Sequence, residues 1–179
     1  MMNNKRGFLA IIVACLLLAC GTMQSLMLTS VPYTTPLTVT ASSKTGQSFT
    51  AMGTATSFDK VIFKNGANVN KINAVKVVSA ELRSALPADF DLGHIQTLKV
   101  YMLKADGSDA VLVASEDDIA ADTDNVIMLD VNNSGFLDRF MRESDIRIKM
   151  IYTLRTGVKT DANLLLVMNF SATPVNSGK

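Results

Sequence analysis

Cysteine is scarce in this sequence and is confined to its N-terminal end. Of the 179 residues only two are cysteines, Cys15 and Cys20. The rest of the chain therefore cannot form an internal disulfide, and it cannot build a metal site from cysteine thiolates. Its folded part must be stabilised by packing.

Aromatic residues and histidine are also rare. The chain has no tryptophan, and His94 is its one histidine. His94 follows Asp91 closely enough to suggest an Asp–His pair, but no Gly-x-Ser-x-Gly motif is present to hold a nucleophilic serine in a strained turn. A Gly-rich phosphate loop is missing as well. The sequence therefore predicts a protein that is not an enzyme and needs no cofactor, with a hydrolase using His94 as the minor alternative.

Net charge is small. The 17 basic residues nearly balance the 16 acidic ones, and the two signs are interspersed. Nucleic-acid binding requires a basic stripe, so a nucleic-acid partner is not expected. Strong electrostatic attraction to anionic lipid head groups is disfavoured for the same reason.

The N-terminal stretch has the features of an export signal. Lys5 and Arg6 precede an apolar run that extends from Gly7 to Ala19. A helix needs roughly 20 apolar residues to cross a bilayer, whereas a signal peptide needs only about 7–15. The run is too short for the first and long enough for the second, so a cleaved signal peptide is favoured over a permanent transmembrane anchor.

The end of this run, Leu-Leu-Ala-Cys at residues 17–20, resembles the lipobox of bacterial lipoproteins. The resemblance extends from the N-terminus to about Gly21. It implies that residues 1–19 are removed and that Cys20 receives acyl chains such as palmitate, which anchor the protein to a membrane. Gly21, in place of the aspartate that retains lipoproteins at the inner membrane, implies the outer membrane of a two-membrane bacterium, with the protein facing the periplasm or the cell surface. The external face of a cell membrane is the alternative.

Two competing interpretations of this stretch remain open. Ile12-Val13-Ala14-Cys15 also has the lipobox pattern, but cleavage there would leave a signal core of only about eight residues. It would also leave three leucines at the start of the mature chain, so Cys20 is favoured. The other interpretation is an ordinary signal peptide whose cysteines are merely small apolar residues.

Residues 20–46 have the composition of a flexible tether that follows the lipidated cysteine. Threonine and serine are frequent, and Pro32 and Pro36 fall within the stretch. About 25 flexible residues would span roughly 25–30 Å. The alternation in Leu37-Thr38-Val39-Thr40 allows a second interpretation, in which the first strand begins here.

Residues 47–173 are predicted to form one all-β domain, because apolar and polar residues alternate with period two. The predicted strands lie at 48–56, 61–63, 72–83, 97–104, 110–115, 125–131, 145–156 and 163–171. A change of inward face between Val77 and Val78 predicts a β-bulge. Short strands with few helices favour a single antiparallel β-sandwich, immunoglobulin-like or related, and residues 174–179 are expected to be a polar tail.

One short helix is predicted at residues 134–143. Phe136, Leu137, Phe140 and Met141 would lie on one helical face, and Ser134 could be the N-cap. We expect the apolar face of this helix to cover an open end of the sandwich.

The same region contains a weak candidate for a calcium site. Asp130, Asn132, Ser134 and Gly135 match the first half of an EF-hand-like loop, but position 12, where a bidentate glutamate is required, is Met141. A turn is therefore favoured over a metal site. The acidic loop from Glu116 to Asp124 is a second weak candidate, with solvated carboxylates as the favoured interpretation.

Four methionines fall at predicted inward strand positions: Met102, Met128, Met150 and Met168. Core packing is the favoured role, and an adaptable apolar cavity is the alternative. Together these features predict a membrane-anchored lipoprotein whose sandwich has a non-catalytic structural or interaction role, with another envelope protein as its partner. The alternative is a carrier of an apolar, lipid-like ligand in the envelope.

Overall fold

Eight β-strands make up most of the chain that the computed structural model describes, which is residues 31–56, 72–141 and 145–174. The strands are β1 (Val31–Val39), β2 (Ser48–Thr56), β3 (Ile72–Leu86), β4 (Ile95–Leu103), β5 (Val111–Glu116), β6 (Val126–Val131), β7 (Asp145–Leu154) and β8 (Ala162–Pro174). A single-turn helix, α1 (Asp138–Met141), and a 3-10 turn at Leu92–His94 accompany them. No helix in the described ranges is long and apolar enough to span a membrane. Cys20, the strand predicted at 61–63 and residues 175–179 lie outside these ranges.

The strands form one antiparallel sheet in the order β1-β8-β3-β6-β5-β4-β7-β2. The predicted antiparallel all-β class is confirmed, as is the hairpin that joins β4 and β5. Strand β6 joins two halves of this sheet, β1-β8-β3 on one side and β5-β4-β7-β2 on the other, and the sheet curls until it is nearly a barrel. Residues 126–129 of β6 pair with β3, whereas Asp130 and Val131 pair with β5.

Gly53 allows the two outermost strands, β1 and β2, to approach each other closely. A Cβ atom at residue 53 would overlap Thr35 Cγ2 and would lie 2.6 Å from the carbonyl oxygen of Pro36. The absence of a side chain therefore lets the backbone of β2 lie directly against β1. Pro32 and Pro36 are compatible with β1 because it pairs on one side only, with β8.

The core is lined by alternate residues of the strands, as the period-two pattern predicts. In β7 and β8 the buried positions are Ile146, Ile148, Met150, Tyr152, Leu154, Ala162, Leu164, Leu166, Met168 and Phe170. The inward positions predicted for Met150 and Met168 are confirmed. Each of these strands is paired on both sides, which explains why they supply so much of the core.

The β-bulge predicted in β3 is confirmed. The pairing of β3 with β8 shifts between Val77 and Ser79. Val77 and Ala80 are both buried, while Val78 is exposed. Because of the extra residue at the bulge, the inward positions change from odd-numbered residues before it to even-numbered residues after it.

The predicted tether extends too far. Residues 31–39 belong to the sheet as β1, which pairs along its length with β8. Tyr33, Leu37 and Val39 are buried. The second interpretation, which placed the first strand in this region, is therefore the correct one, and the strand begins even earlier than Leu37.

The predicted helix begins later than expected, at Asp138, and residues 142–143 of the prediction lie outside the described ranges. The backbone N–H of Leu137 donates to the carbonyl of Val75 at 2.9 Å, which ties the chain to β3 just before α1 begins. Leu137 and Phe140 are buried as predicted, but Phe136 is exposed. Ser134 is not the N-cap, because it lies well before the start of α1 and its N–H donates to Asn132 Oδ1 at 3.0 Å.

Met128 points outward, contrary to the prediction. Met102, Met150 and Met168 are fully buried, whereas Met128 is 57% exposed. The first four residues of β6, Val126 to Leu129, are all apolar, so their hydropathy does not show which of them face the core. The polar Asp130 reveals it, because residues 126, 128 and 130 must share the outer face.

Two buried tyrosines differ in how their hydroxyl groups are satisfied. The hydroxyl of Tyr152 lies 2.8 Å from Ser43 Oγ and accepts the N–H of Thr40 at 3.3 Å. Among the described residues, Tyr33 Oη and Thr35 Oγ1 are buried without a hydrogen-bond partner. Burial, and secondarily the negative charge of Asp145, raises the pKa of Tyr33 well above its ordinary value of 10.0.

We expect Tyr33→Phe to raise the free energy of unfolding by about 1 kcal/mol, because it removes a buried hydroxyl that has no partner. Tyr152→Phe should lower it by a similar amount, about 1 kcal/mol, because Ser43 and Thr40 lose a partner. Urea titration of both variants measures the difference. Equal effects of the two substitutions would contradict this account of Tyr33.

The raised pKa of Tyr33 also predicts how stability changes at alkaline pH. Since the pKa of Tyr33 is raised in the folded state, the folded chain holds the Tyr33 proton more tightly than the unfolded chain does. Ionisation of Tyr33 therefore leaves stability unchanged below pH 10.0, the ordinary pKa, and lowers it as the pH rises above that value. Tyr33→Phe should therefore lose less stability than the wild-type chain when the urea titration is repeated at increasing alkaline pH. Parallel losses in the two proteins would show that Tyr33 does not titrate differently in the folded and unfolded states.

Candidate interaction surface

The outer face of β3, β6 and β8 exposes apolar side chains. Val78 is 43% exposed, Val126 is 46% exposed and Met128 is 57% exposed. On β8, Leu165 and Val167 are half-buried on the same side of the sheet. We call these five residues, together with Glu81 and Arg83, the apolar face.

Such a face is unusual for a solvated sheet. An antiparallel sheet with one side in water normally alternates apolar residues inside with polar residues outside. Here outward positions of β6 and β8 are apolar as well, and contiguous exposed apolar residues mark sites of interaction. Helix α1 packs mainly against β3, and the side chains of the apolar face stay accessible beside it.

Glu81 and Arg83 lie at the centre of the apolar face. In the sheet register, Glu81 stands between Met128 of β6 and Val167 of β8. Arg83 stands between Val126 and Leu165 in the next outward row. Within the part of the chain that the structure describes, neither charged residue forms an ion pair.

The outer face of the other half of the sheet, β5-β4-β7-β2, carries several cations beside the exposed Met52. Arg147 is exposed there, and the ammonium group of Lys149 lies over the Tyr101 ring, 5.2 Å from its centroid, in a cation–π contact. Lys99 Nζ lies 3.8 Å from a carboxylate oxygen of Asp117. This outer face therefore carries more positive charge than the apolar face.

Arg155 anchors the acidic loop to one end of the sheet. Its guanidinium donates to the carbonyl oxygens of Gly93, at 3.0 Å, and Ile119, at 2.5 Å. It also lies 3.4 Å from the carboxylate of Asp118. Ile119 is buried, and its N–H donates to the Gln96 carbonyl at 3.0 Å. The loop is thus a packed part of the domain.

His94 lies at a small cleft beside this loop. The cleft has a volume of about 350 Å³ and is lined by Phe90, His94 and residues 157–160. The His94 ring is 5.5 Å from that of Phe90, and its Nδ1 lies 2.5 Å from Thr156 Oγ1. The carboxylate of Asp91 accepts the N–H of Gly93 at 2.7 Å, so it is engaged with the backbone of the turn rather than with the His94 ring.

The predicted metal candidates lie at the end of β6 and in the bend that follows it. Asn132 Oδ1 accepts the N–H of Ser134, and Asp130 is exposed at the outer face of β6. In the described ranges, no three histidine, cysteine, aspartate or glutamate side chains are grouped closely enough to hold a metal ion. Calcium binding by Asp130, Asn132 and Ser134 stays the weaker, untested alternative to the favoured turn.

The sequence matches no model of a known protein family, and no curated protein shows significant similarity to it. The residues of the N-terminal stretch and of the apolar face are therefore the basis for a proposal on function.

The sequence prediction missed the apolar face. Its residues come from three strands that are far apart in the chain, and only the register brings Glu81, Met128 and Val167 into one row. One signal was present in the sequence. The outward phase of Asp130 places Val126 and Met128 on the same side, which would have revealed the exposed part of β6.

Proposed function

We propose that this chain is a membrane-anchored lipoprotein. Acylated Cys20 would hold it on the non-cytoplasmic side of a membrane, and the β domain would be a non-catalytic interaction module. The apolar face is the observation that supports this role most strongly, because large apolar side chains such as Met128, which is 57% exposed, stand on strands in the middle of the sheet.

The position of β1 limits how far the domain can stand from its anchor. Only residues 21–30 separate Cys20 from the first residue of β1. A fully extended chain spans at most about 3.5 Å per residue, so this connection reaches no more than roughly 40 Å. An anchored domain would therefore work close to the membrane, where a partner in the same membrane meets it at high effective concentration.

We further propose that the curled sheet is a sandwich of the immunoglobulin-like or a related kind. Residues of β6 pair with a different half of the sheet at each end of the strand, which is how a strand turns the corner between two layers. On the opposite side, β1 and β2 pack together around Gly53.

The anchor is tested by substituting each cysteine in turn. Cys20→Ala should abolish incorporation of radiolabelled palmitate and leave the protein either soluble or unprocessed, because no thiol remains at the cleavage point. Cys15→Ala is the matched control and should leave labelling and membrane fractionation unchanged. Full palmitate labelling of Cys20→Ala would contradict the proposal, and loss of labelling in Cys15→Ala would assign the anchor to Cys15.

The alternative function, transport of an apolar ligand, makes a different prediction. It requires a cavity that encloses a ligand, whereas Met102, Met150 and Met168 are fully buried in a cluster that contains residues of both halves of the sheet. Native mass spectrometry of the gently extracted protein distinguishes the two functions. A stoichiometric non-covalent lipid would favour the carrier.

A further inference from the structure

We propose that the apolar face binds a second copy of this chain, so that two domains pack face to face about a two-fold axis. This inference rests on the proposed function, in which the apolar face is an interaction surface, and it names the partner. Glu81 and Arg83, at the centre of the face, are the residues from which the partner is inferred.

Glu81 and Arg83 are two residues apart on β3, so both project from the outer side of the sheet. Each is flanked by apolar residues. One row contains Val167, Glu81 and Met128, and the next contains Leu165, Arg83 and Val126. A partner surface must therefore be mainly apolar and must also offer a cation opposite Glu81 and an anion opposite Arg83.

The face itself meets this requirement. Consider a two-fold axis that lies between the two packed sheets, runs across the strands and passes at the level of Leu82. It places Glu81 over the second copy's Arg83, and Arg83 over the second copy's Glu81. The same rotation places Met128 over Val126 and Val167 over Leu165, so apolar residues meet apolar residues along the neighbouring strands.

The charges also select this axis over its alternative. A two-fold axis parallel to β3 would place Glu81 over Glu81 and Arg83 over Arg83. Burying like charges opposite each other is unfavourable, whereas opposite charges can form hydrogen-bonded pairs. The interface is therefore isologous, with β3 strands that run antiparallel across it. Two sheets packed in this way would lie about 10 Å apart.

The experiment measures self-association of the full mature chain, solubilised in detergent, by sedimentation equilibrium over a range of protein and detergent concentrations. The wild-type chain should sediment as a dimer. Glu81→Arg and Arg83→Glu should each weaken dimerisation by on the order of tenfold or more, because each places like charges opposite one another. Arg147→Glu changes charge by the same amount as Arg83→Glu, on the other outer face, and should have no effect.

Two further measurements show whether a single variant fails to dimerise because the charge pair is lost or because the domain is unfolded. The double variant Glu81→Arg/Arg83→Glu restores both opposite-charge pairs and should recover the dimer. An equimolar mixture of the two single variants should also associate, because the two arginines of one copy face the two glutamates of the other. Both recoveries require every variant to be folded.

Three results would overturn the inference: a wild-type chain that is monomeric throughout, a double variant as weak as the single variants, or an equal loss in Arg147→Glu. The proposed function is judged separately, by palmitate labelling of Cys20→Ala and by cross-linking in the membrane. If the wild type is monomeric but Glu81→Arg abolishes a cross-link to another envelope protein, self-association is overturned and the interaction role stands. If Cys20 is not acylated, the anchor fails whatever the dimer measurement shows.

Discussion

Gly53→Ala should lower the free energy of unfolding by about 1–3 kcal/mol, because it overpacks the contact between β1 and β2. The new methyl group would overlap Thr35 Cγ2 and would lie 2.6 Å from the Pro36 carbonyl oxygen. The Thr35 side chain is fully buried and the oxygen belongs to the backbone, so relief requires β1 to move away from β2.

Urea unfolding measures the loss, and hydrogen exchange in β1 should increase with it. Gly157→Ala is the matched control, because nothing lies within 4 Å of a methyl group at that position. It should change stability by less than about 0.5 kcal/mol. Thr35→Ser, added to Gly53→Ala, removes the nearest atom and should recover part of the loss. If Gly53→Ala is as well tolerated as Gly157→Ala, the close contact between β1 and β2 is wrong.

Arg155→Met should destabilise the domain by about 3 kcal/mol, because two carbonyl groups lose a charged hydrogen-bond donor. Those carbonyls belong to Gly93 and Ile119, and the contacts hold the acidic loop to the turn that leads into β4. The pair with Asp118 should contribute little, because that carboxylate is largely exposed.

Urea unfolding and limited proteolysis together test this role. Arg155→Met should unfold at lower urea and should be cleaved within residues 116–125. Arg147→Met removes the same charge from an exposed position and should stay within about 0.5 kcal/mol of the wild type. Cleavage of the acidic loop at the same rate in both variants would show that Arg155 does not anchor it.

The strands were largely predictable from the sequence because one face of each is clearly apolar. In β7, charged residues such as Arg147 and Lys149 mark the outer face and leave little doubt about the inner one. In β6, Val126 to Leu129 are all apolar, so the inward-facing residues could not be identified from their hydropathy. Met128 was placed inside as a result.

Other errors came from composition and from long-range contacts. Threonine and proline suggested a tether at residues 31–39, yet threonine favours strands and proline is tolerated where a strand pairs on one side only. The helix was predicted to begin too early because the hydrogen bond between Leu137 and Val75 joins residues that are far apart in the chain. No local pattern can reveal such a contact.

The candidate surface was the least predictable feature. It depends on the pairing of β3 with both β6 and β8, which places Glu81 and Arg83 among apolar residues from distant parts of the chain. The proposed N-terminal signal, in contrast, rests on a local pattern of charge, apolar length and cysteine, so it could be proposed from the sequence directly.

The intact mass of the protein purified from membranes tests the central claim, the lipid anchor, most directly. We expect a chain that begins at Cys20, with the added mass of a diacylglyceryl group and an amide-linked acyl chain. A membrane-bound protein whose mass corresponds to an unmodified chain, or whose first residue is not Cys20, would contradict the claim.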